Sequence, residues 1–380
     1  MAEDILATEL IPPFVNSAVD GFAVRAADTV RATAAAPISL TVVGTVAAGA
    51  VPTAPIDGGE AMRVMTGAPL PDAADAMVMV EDTEMAPDGV TVLVRHAANA
   101  GDNLRAAGGD VRPGDRVLVK AMVLTPAHLG ILASLGHRDV AAYPRPRVGV
   151  ISTGDELMEG PAPLGPGQIR DSNRPTLLSM VAGAGFEAVD LGLIRDDERL
   201  IAEAFARGAT TCDAVISSGG VSMGDFDFVK RVLDREGEVN WMQIAIKPAK
   251  PLAFGHMGAT PIFGLPGNPV SSMVSFELFA RPALRQMAGH SVLDRPRFVA
   301  TATEPLPRSL DGKIHFARVS AAFANGRFAV RSAGGQGSHQ LTAMAAANAL
   351  AILPDGPGVD VGGEVEILLV GTTESLLESR

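Results

Sequence analysis

Along the first third of the chain, apolar positions come in short runs or in alternation, broken every few residues by Gly, Pro or Asp. Residues 38–46, 62–65, 76–80 and 90–95 have the length and period of strands. A turn-rich stretch, 107–115, leads into another short apolar run at 116–119. Residues 125–135 read as a helix, with Thr125 as its cap, Pro126 at the first helical position and Gly136 beyond its end. Tyr143-Pro-Arg-Pro146 reads as a linker, because two prolines in four residues leave little room for regular pairing.

From residue 147 the period changes. Strand-like runs at 147–152, 187–194, 213–217, 239–246 and 261–263 alternate with helical patterns at 174–184, 198–207, 226–235 and 270–287. Such alternation predicts a mostly parallel sheet covered by helices on both faces. After about residue 291 it gives way to short β-like runs at 297–302, 315–319, 327–330 and 364–370. The predicted fold class is therefore multidomain α/β. A linking domain takes 1–40 with 107–145, and a β-rich domain is inserted at 41–106. The α/β domain spans 146–290 and a small β domain spans 291–380.

Composition narrows the function. Of 380 residues, 47% are hydrophobic and 19% charged, so a large core can be buried and extended disorder is excluded. Lys and Arg total 31 against 43 Asp and Glu, a net charge of −12, which argues against non-specific nucleic-acid binding. The one cysteine, Cys212, excludes a disulfide framework, a cysteine-rich zinc site, a chain-held iron–sulfur cluster and a CxxC redox pair. The N-terminus carries acids where a signal peptide carries bases, and no apolar run reaches the ~18 residues of a membrane span. A soluble cytoplasmic protein is the expectation.

In open parallel sheets ligands bind outside the carboxyl ends of the strands. The segments leaving those ends are Ser152-Thr-Gly-Asp-Glu156, Arg195-Asp-Asp197, Ser217-Ser-Gly-Gly-Val-Ser-Met-Gly-Asp-Phe-Asp227 and Gly264-Leu-Pro-Gly-Asn-Pro269. They combine small residues, whose backbone N–H can approach an anion, with carboxylates that can hold Mg²⁺, the pairing a phosphoanhydride requires. Taken singly, each reads more readily as a plain turn or a helix cap. Four on one rim favour the anion-plus-Mg²⁺ reading. The loop Ile246-Lys-Pro-Ala-Lys-Pro251 adds Lys247 and Lys250 on a proline-stiffened backbone. By itself it is a solvated basic turn; beside the 264–269 loop it suggests an oxyanion site, locally positive in an acidic protein.

Further motifs run through nearly the whole chain in order: Asn16-Ser-Ala-Val-Asp-Gly-Phe-Ala-Val24, Thr66-Gly-Ala-Pro-Leu-Pro71, Asn103-Leu-Arg-Ala-Ala-Gly-Gly-Asp110 and Gly335-Gln-Gly-Ser338. With the loops above, they resemble the molybdopterin molybdenumtransferases, the MoeA type that also forms the C-terminal part of gephyrin. The resemblance implies the last step of molybdenum cofactor synthesis. Adenylated molybdopterin and molybdate give the cofactor and AMP, with Mg²⁺ assisting, in a homodimer whose active site is shared between subunits; contact with other enzymes of the pathway is also implied. From the charge balance and the lack of a long apolar run, no nucleic-acid or membrane partner is expected.

By the same resemblance, Asp20 and Asp110 are the acids reaching across from the partner subunit. Asp155, Glu156, Asp196 and Asp227 are the carboxylates of the nucleotide and Mg²⁺ site. Gly219, Gly220 and Ser222 hold phosphate, with Pro266, Gly267 and Asn268 alongside, and Thr153 and Gly154 also belong to the cofactor-binding set. Lys247, Lys250, Ser271 and Arg318 form the molybdate pocket. Asp227 is the most sensitive carboxylate, either orienting the attacking oxygen or binding Mg²⁺. The chain departs from the family pattern at Val15, Val19 and Phe22, and at Gln243, where many members carry a cation. Two alternatives stand beside this reading. One is the related adenylating enzyme, which lacks the terminal domains; the other is a catalytically weak carrier or scaffold for the pterin nucleotide.

Overall fold

The computed structural model describes residues 1–220 and 228–371. The chain divides into two compact units, Met1–Ala142 and Tyr143–Arg380. The break falls at the segment after residue 142, where Pro144 and Pro146 lack an N–H for backbone pairing.

In the N-terminal unit, Gly21–Val24 lies between Ala76–Met79 and Glu60–Val64 in a six-stranded sheet completed by Ile38–Val46, Thr91–Val94 and Thr83–Met85. Two small ladders accompany it, Ile5–Leu6 with Arg116–Leu118 and Asn16–Ser17 with Leu104–Arg105. The helix Pro126–Ser134 starts as predicted, with the Thr125 side chain and His128 closing a capping box.

The second unit is organised by a six-stranded sheet. Its strands are β1 (Arg147–Thr153), β2 (Glu187–Ile194), β3 (Ala214–Ser218), β4 (Glu238–Gln243), β5 (Pro251–Met257) and β6 (Thr260–Leu265). They lie in the order β2-β1-β3-β6-β5-β4. The first four are parallel, and β5 runs antiparallel to both of its neighbours. Helices α1 (Asn173–Gly183), α2 (Glu198–Thr211) and α3 (Phe228–Glu236) cover the faces. Val148 and Val150 of β1 pack with Leu177, Val181 and Phe263 on one side. Ile151 packs with Ile201, Phe205 and Val232 on the other. Burial on both faces explains why these strands read as near-continuous apolar runs.

Three elements differ from expectation. β5 was not predicted, because Pro251 and Gly255 interrupt it; Gly255 is needed there because a Cβ would sit 2.0 Å from Glu238 O. The run at 239–246 is two strands: β4 stays in the central sheet, whereas Ile246–Lys247 pairs with Ile314–His315 of a second six-stranded sheet formed by the C-terminal part. The helix predicted at 270–287 runs as α4 (Pro269–Ser275), a π-helical segment Phe276–Ala280 and α5 (Arg281–Met287). Pro282 has no N–H to give the preceding turn, and the wider π turn accommodates it.

Candidate active site

The carboxyl ends of β1, β3 and β6 open on one cleft of about 650 Å³. β1 lies between β2 and β3, so the chain leaves it first to one side and then to the other. The cleft sits at that reversal, where neighbouring loops splay apart. Its lining includes Thr153, Gly154 and Glu156 after β1, Asp196 after β2, Ser218, Gly219 and Gly220 at the end of β3, and Pro266, Gly267, Asn268 and Ser271 after β6. The described parts of all four loops singled out in the sequence therefore meet on one rim.

Local chemistry fixes the shape of this rim. Gly219 and Gly220 have φ of +92° and +71°, a region costly for residues with a Cβ. At Gly220 a Cβ would also stand 2.3 Å from Cγ2 of the buried Val229. The Gly219 N–H donates to Leu265 O at 3.1 Å, tying the β3 loop to the end of β6. Asn173, at the start of α1, completes the tie: its Nδ2 donates to Ser218 Oγ and to Gly267 O, both at 2.7 Å. Below it, Ser152 Oγ donates to Asp171 Oδ1 at 3.1 Å, and Asp171 pairs with the buried Arg174 at 3.2 Å.

Electrostatically the cleft is acidic. Glu156 and Asp196 line it, and among the described residues its lining holds no Lys, Arg or His. The Asp196 carboxyl is held above its ordinary value, first by burial and also by the neighbouring Asp155 and Glu156; a backbone hydrogen bond from Asp155 works the other way. A carboxyl raised on folding binds its proton more tightly in the native chain than in the unfolded one. Its ionisation costs the fold nothing below the ordinary aspartate value of 3.8, and the cost appears as pH climbs through the raised native value. Asp196→Asn is therefore expected to leave ligand-free stability at neutral pH equal or higher, and to flatten the change in Tm between about pH 4 and pH 7. Thermal melts across that range test this.

A second cavity, about 400 Å³, lies in the same unit and is lined by Lys247, His315, Arg318, Arg308, Gln336 and Gly337 among others. Arg318 is only 1% exposed. Its Nη2 donates to Gly335 O and Gly337 O, both at 3.1 Å, while its Nε has no partner among the described residues. Gln336 accepts from Arg318 N–H at 2.9 Å and returns a bond to Arg318 O at 3.0 Å, holding the loop against the strand. Burial pushes the guanidinium pKa down, and no carboxylate contributes to that shift. Arg308 differs: its guanidinium pairs with Asp311 at 3.1 Å and with Asp355, so its charge is cancelled locally. The turn at 247–251 joins the two cavities, since Lys247 lines one and Pro251 the other. Four peptide steps span at most about 14 Å.

The remaining sequence-predicted residues fall as follows. Asp155 is exposed, its Oδ1 accepting from Asp196 N–H at 3.3 Å. Lys250 is exposed on the turn carrying Lys247. Ser271 lines the cleft, whereas Lys247 and Arg318 line the second cavity, so the predicted molybdate set is divided between neighbouring sites. Asp20 and Asp110 belong to the N-terminal unit. Asp20 Oδ1 accepts from Thr66 N–H at 2.7 Å and Thr66 Oγ1 at 2.8 Å, which hold its carboxyl below the usual value. Asp110 is exposed in the loop whose backbone pairs with Ile11. Ser222 and Asp227 lie outside the described residues. The sequence reading assigned no role to Asn173, Phe228, His315 or Gln336, although Gln336 lies within the Gly335-Gln-Gly-Ser338 motif. Asn173 carried only the signal of a helix start, and the others become neighbours of the site through long-range pairing.

Comparison with known proteins agrees with this architecture. Family models match in series: the MoeA N-terminal region (domain I and II) at residues 1–136, a probable molybdopterin binding domain at 149–286, and the MoeA C-terminal region (domain IV) at 300–370. The molybdopterin molybdenumtransferase of Haemophilus influenzae is 40% identical over 366 residues, covering 96% of this chain and 89% of that protein. The Bacillus subtilis protein of the same name is 34% identical, covering 97% of this chain and 87% of its own. The crystal structure of the molybdopterin biosynthesis MoeA protein from Pyrococcus horikosii superposes with a TM-score of 0.80 at 32% identity, covering 97% of this chain and 90% of that one. The fold is thus that of the multidomain enzymes of molybdenum cofactor biosynthesis. The chain belongs to the molybdopterin molybdenumtransferase family.

Proposed function

We propose that this protein inserts molybdenum from molybdate into adenylated molybdopterin and releases AMP, with the nucleotide end in the acidic cleft and the oxyanion in the Arg318 cavity. The observation that carries this reading is the pair of cavities of opposite character joined by the 247–251 turn. One offers glycine-rich backbone and carboxylates; the other offers Lys247 and a buried guanidinium with no acid beside it.

The residues present fit Mg²⁺. No group of three ligating side chains is preformed among the described residues, yet Mg²⁺ commonly takes one or two carboxylates, several waters and the phosphates of its ligand. An acidic cleft without lining cations would repel a bare phosphoanhydride, and Asp155, Glu156, Asp196 and, from sequence, Asp227 are the oxygen donors that would hold the ion. When bound, Mg²⁺ would offset the negative charge of the phosphate oxygens.

The chain's own residues do the rest. The Gly219–Gly220 turn and the Asn268 loop position the phosphate, and Asn173 keeps these two loops in register. Lys247 and Arg318 hold the oxyanion and stabilise charge as it develops there. The assembly proposed is a homodimer in which a second copy brings Asp20 and Asp110 to the site, and the compartment proposed is the cytoplasm. Among the described residues no helix is long and apolar enough to cross a membrane.

Purified protein with adenylated molybdopterin and Mg²⁺ is expected to release AMP when molybdate is added. Chelation of Mg²⁺ is expected to weaken nucleotide binding about tenfold or more. Tight nucleotide binding without molybdate-dependent AMP release would instead favour a carrier.

A further inference from the structure

The second cavity contains a titratable side chain that the reading above leaves without a role. His315 lines it and is the register partner of Lys247 across the short parallel ladder joining Ile246–Lys247 to Ile314–Ala324. Its Nε2 lies 3.1 Å from both carboxylate oxygens of Asp311. A carboxylate only accepts, so Nε2 carries the proton and, in the neutral ring, Nδ1 is the atom open to protonation.

The charges around the ring can be counted by element. The loop before its strand brings Asp311, Lys313 and Arg308, with Asp311 in contact with both cations and with the imidazole, and Asp355 further cancelling Arg308. The strand beside it brings Lys247, and the other neighbouring strand brings Leu353, which is uncharged. The 335–337 loop brings Gln336 and Gly337, and Arg318 lies on the histidine's own strand. Of the cavity's cations, Lys247 and Arg318 thus have no acid paired to them among the described residues, and Asp311 is poised to support a third charge on the imidazole.

We infer that His315 is a further oxyanion-binding residue, taking a proton from solvent onto Nδ1 as a tetrahedral dianion enters beside Lys247 and Arg318, so that affinity rises as pH falls. Burial, then Arg308 and Lys247, hold the imidazole pKa below its ordinary value, although Asp311 opposes them. The ring is therefore neutral at physiological pH until an anion arrives, and the incoming negative charge restores its basicity. The inference rests on the cavity being the oxyanion site, and the experiment separates the two.

Molybdate binding is measured by titration calorimetry from about pH 6.5 to about pH 8.5, in buffers of different ionisation enthalpy, for the wild type, His315→Gln and Arg318→Lys. The wild type is expected to bind about three- to tenfold more tightly at the acid end and to take up protons on binding, a tenfold change corresponding to one unit of pKa shift. His315→Gln keeps a hydrogen-bonding partner for Asp311 and is expected to lose both the slope and the proton uptake. If the wild type binds without proton uptake, or His315→Gln retains the slope, the role of His315 is overturned while the cavity reading stands. If Arg318→Lys leaves affinity untouched, the cavity is not the oxyanion site and both fall.

Discussion

Replacing Arg318 with alanine is expected to weaken molybdate binding about a hundredfold or more while leaving affinity for the pterin nucleotide within about threefold. Arg318 is 1% exposed, and among the described residues its guanidinium hydrogen-bonds only to carbonyl oxygens, with Nε unpartnered. A charge buried this way has already lost its hydration, so an anion that completes its hydrogen bonds gains more than it would from a solvated lysine. Removing the side chain also strips Gly335 O and Gly337 O of their donor and loosens that loop. Arg318→Lys separates the two effects, keeping the charge and losing the fork. It is expected to recover part of the affinity, and equilibrium titration with each ligand checks both variants.

The second large effect is expected at Gly220. Gly220→Ala would force a Cβ into φ +71° and within 2.3 Å of Val229, which is 1% exposed and packed with Ile151, Phe205 and Val232 beneath the sheet. Left-handed strain costs about 1–3 kcal/mol, and overpacking a filled core costs a similar amount. A loss of roughly 2–5 kcal/mol in unfolding free energy is therefore expected, with nucleotide affinity reduced even where the protein remains folded. Gly267→Ala is the control, because its Cβ would meet nothing closer than 3.8 Å. Urea denaturation of both variants, with nucleotide titration of each, measures the contrast.

Much of this was legible in the order of residues. The switch to βα alternation at Arg147 predicted a mostly parallel sheet, and the carboxyl-end rule then gathered Thr153–Glu156, Asp196, Gly219–Gly220 and Pro266–Asn268 on one rim. What escaped has a common cause: it depends on pairings distant in sequence. β5 is marked by Pro251 and Gly255, residues that argue against a strand until its neighbours supply the reason. Lys247 resembled the end of a central strand, yet its ladder is with His315, so the oxyanion cavity borders the C-terminal sheet. Asn173 carried only the local signal of a helix start, while its amide bridges loops that begin 45 and 94 residues away.

The account turns on two neighbouring sites of opposite charge, and one measurement addresses that arrangement directly. Crystals grown with AMP and Mg²⁺ and soaked in molybdate can be analysed by an anomalous-difference map at the molybdenum edge. The account predicts a single strong peak beside Lys247 and Arg318, with the AMP phosphate against Gly219, Gly220 and Asn268. A peak in the acidic cleft with the Arg318 cavity bare, or AMP bound away from that glycine turn, would contradict it.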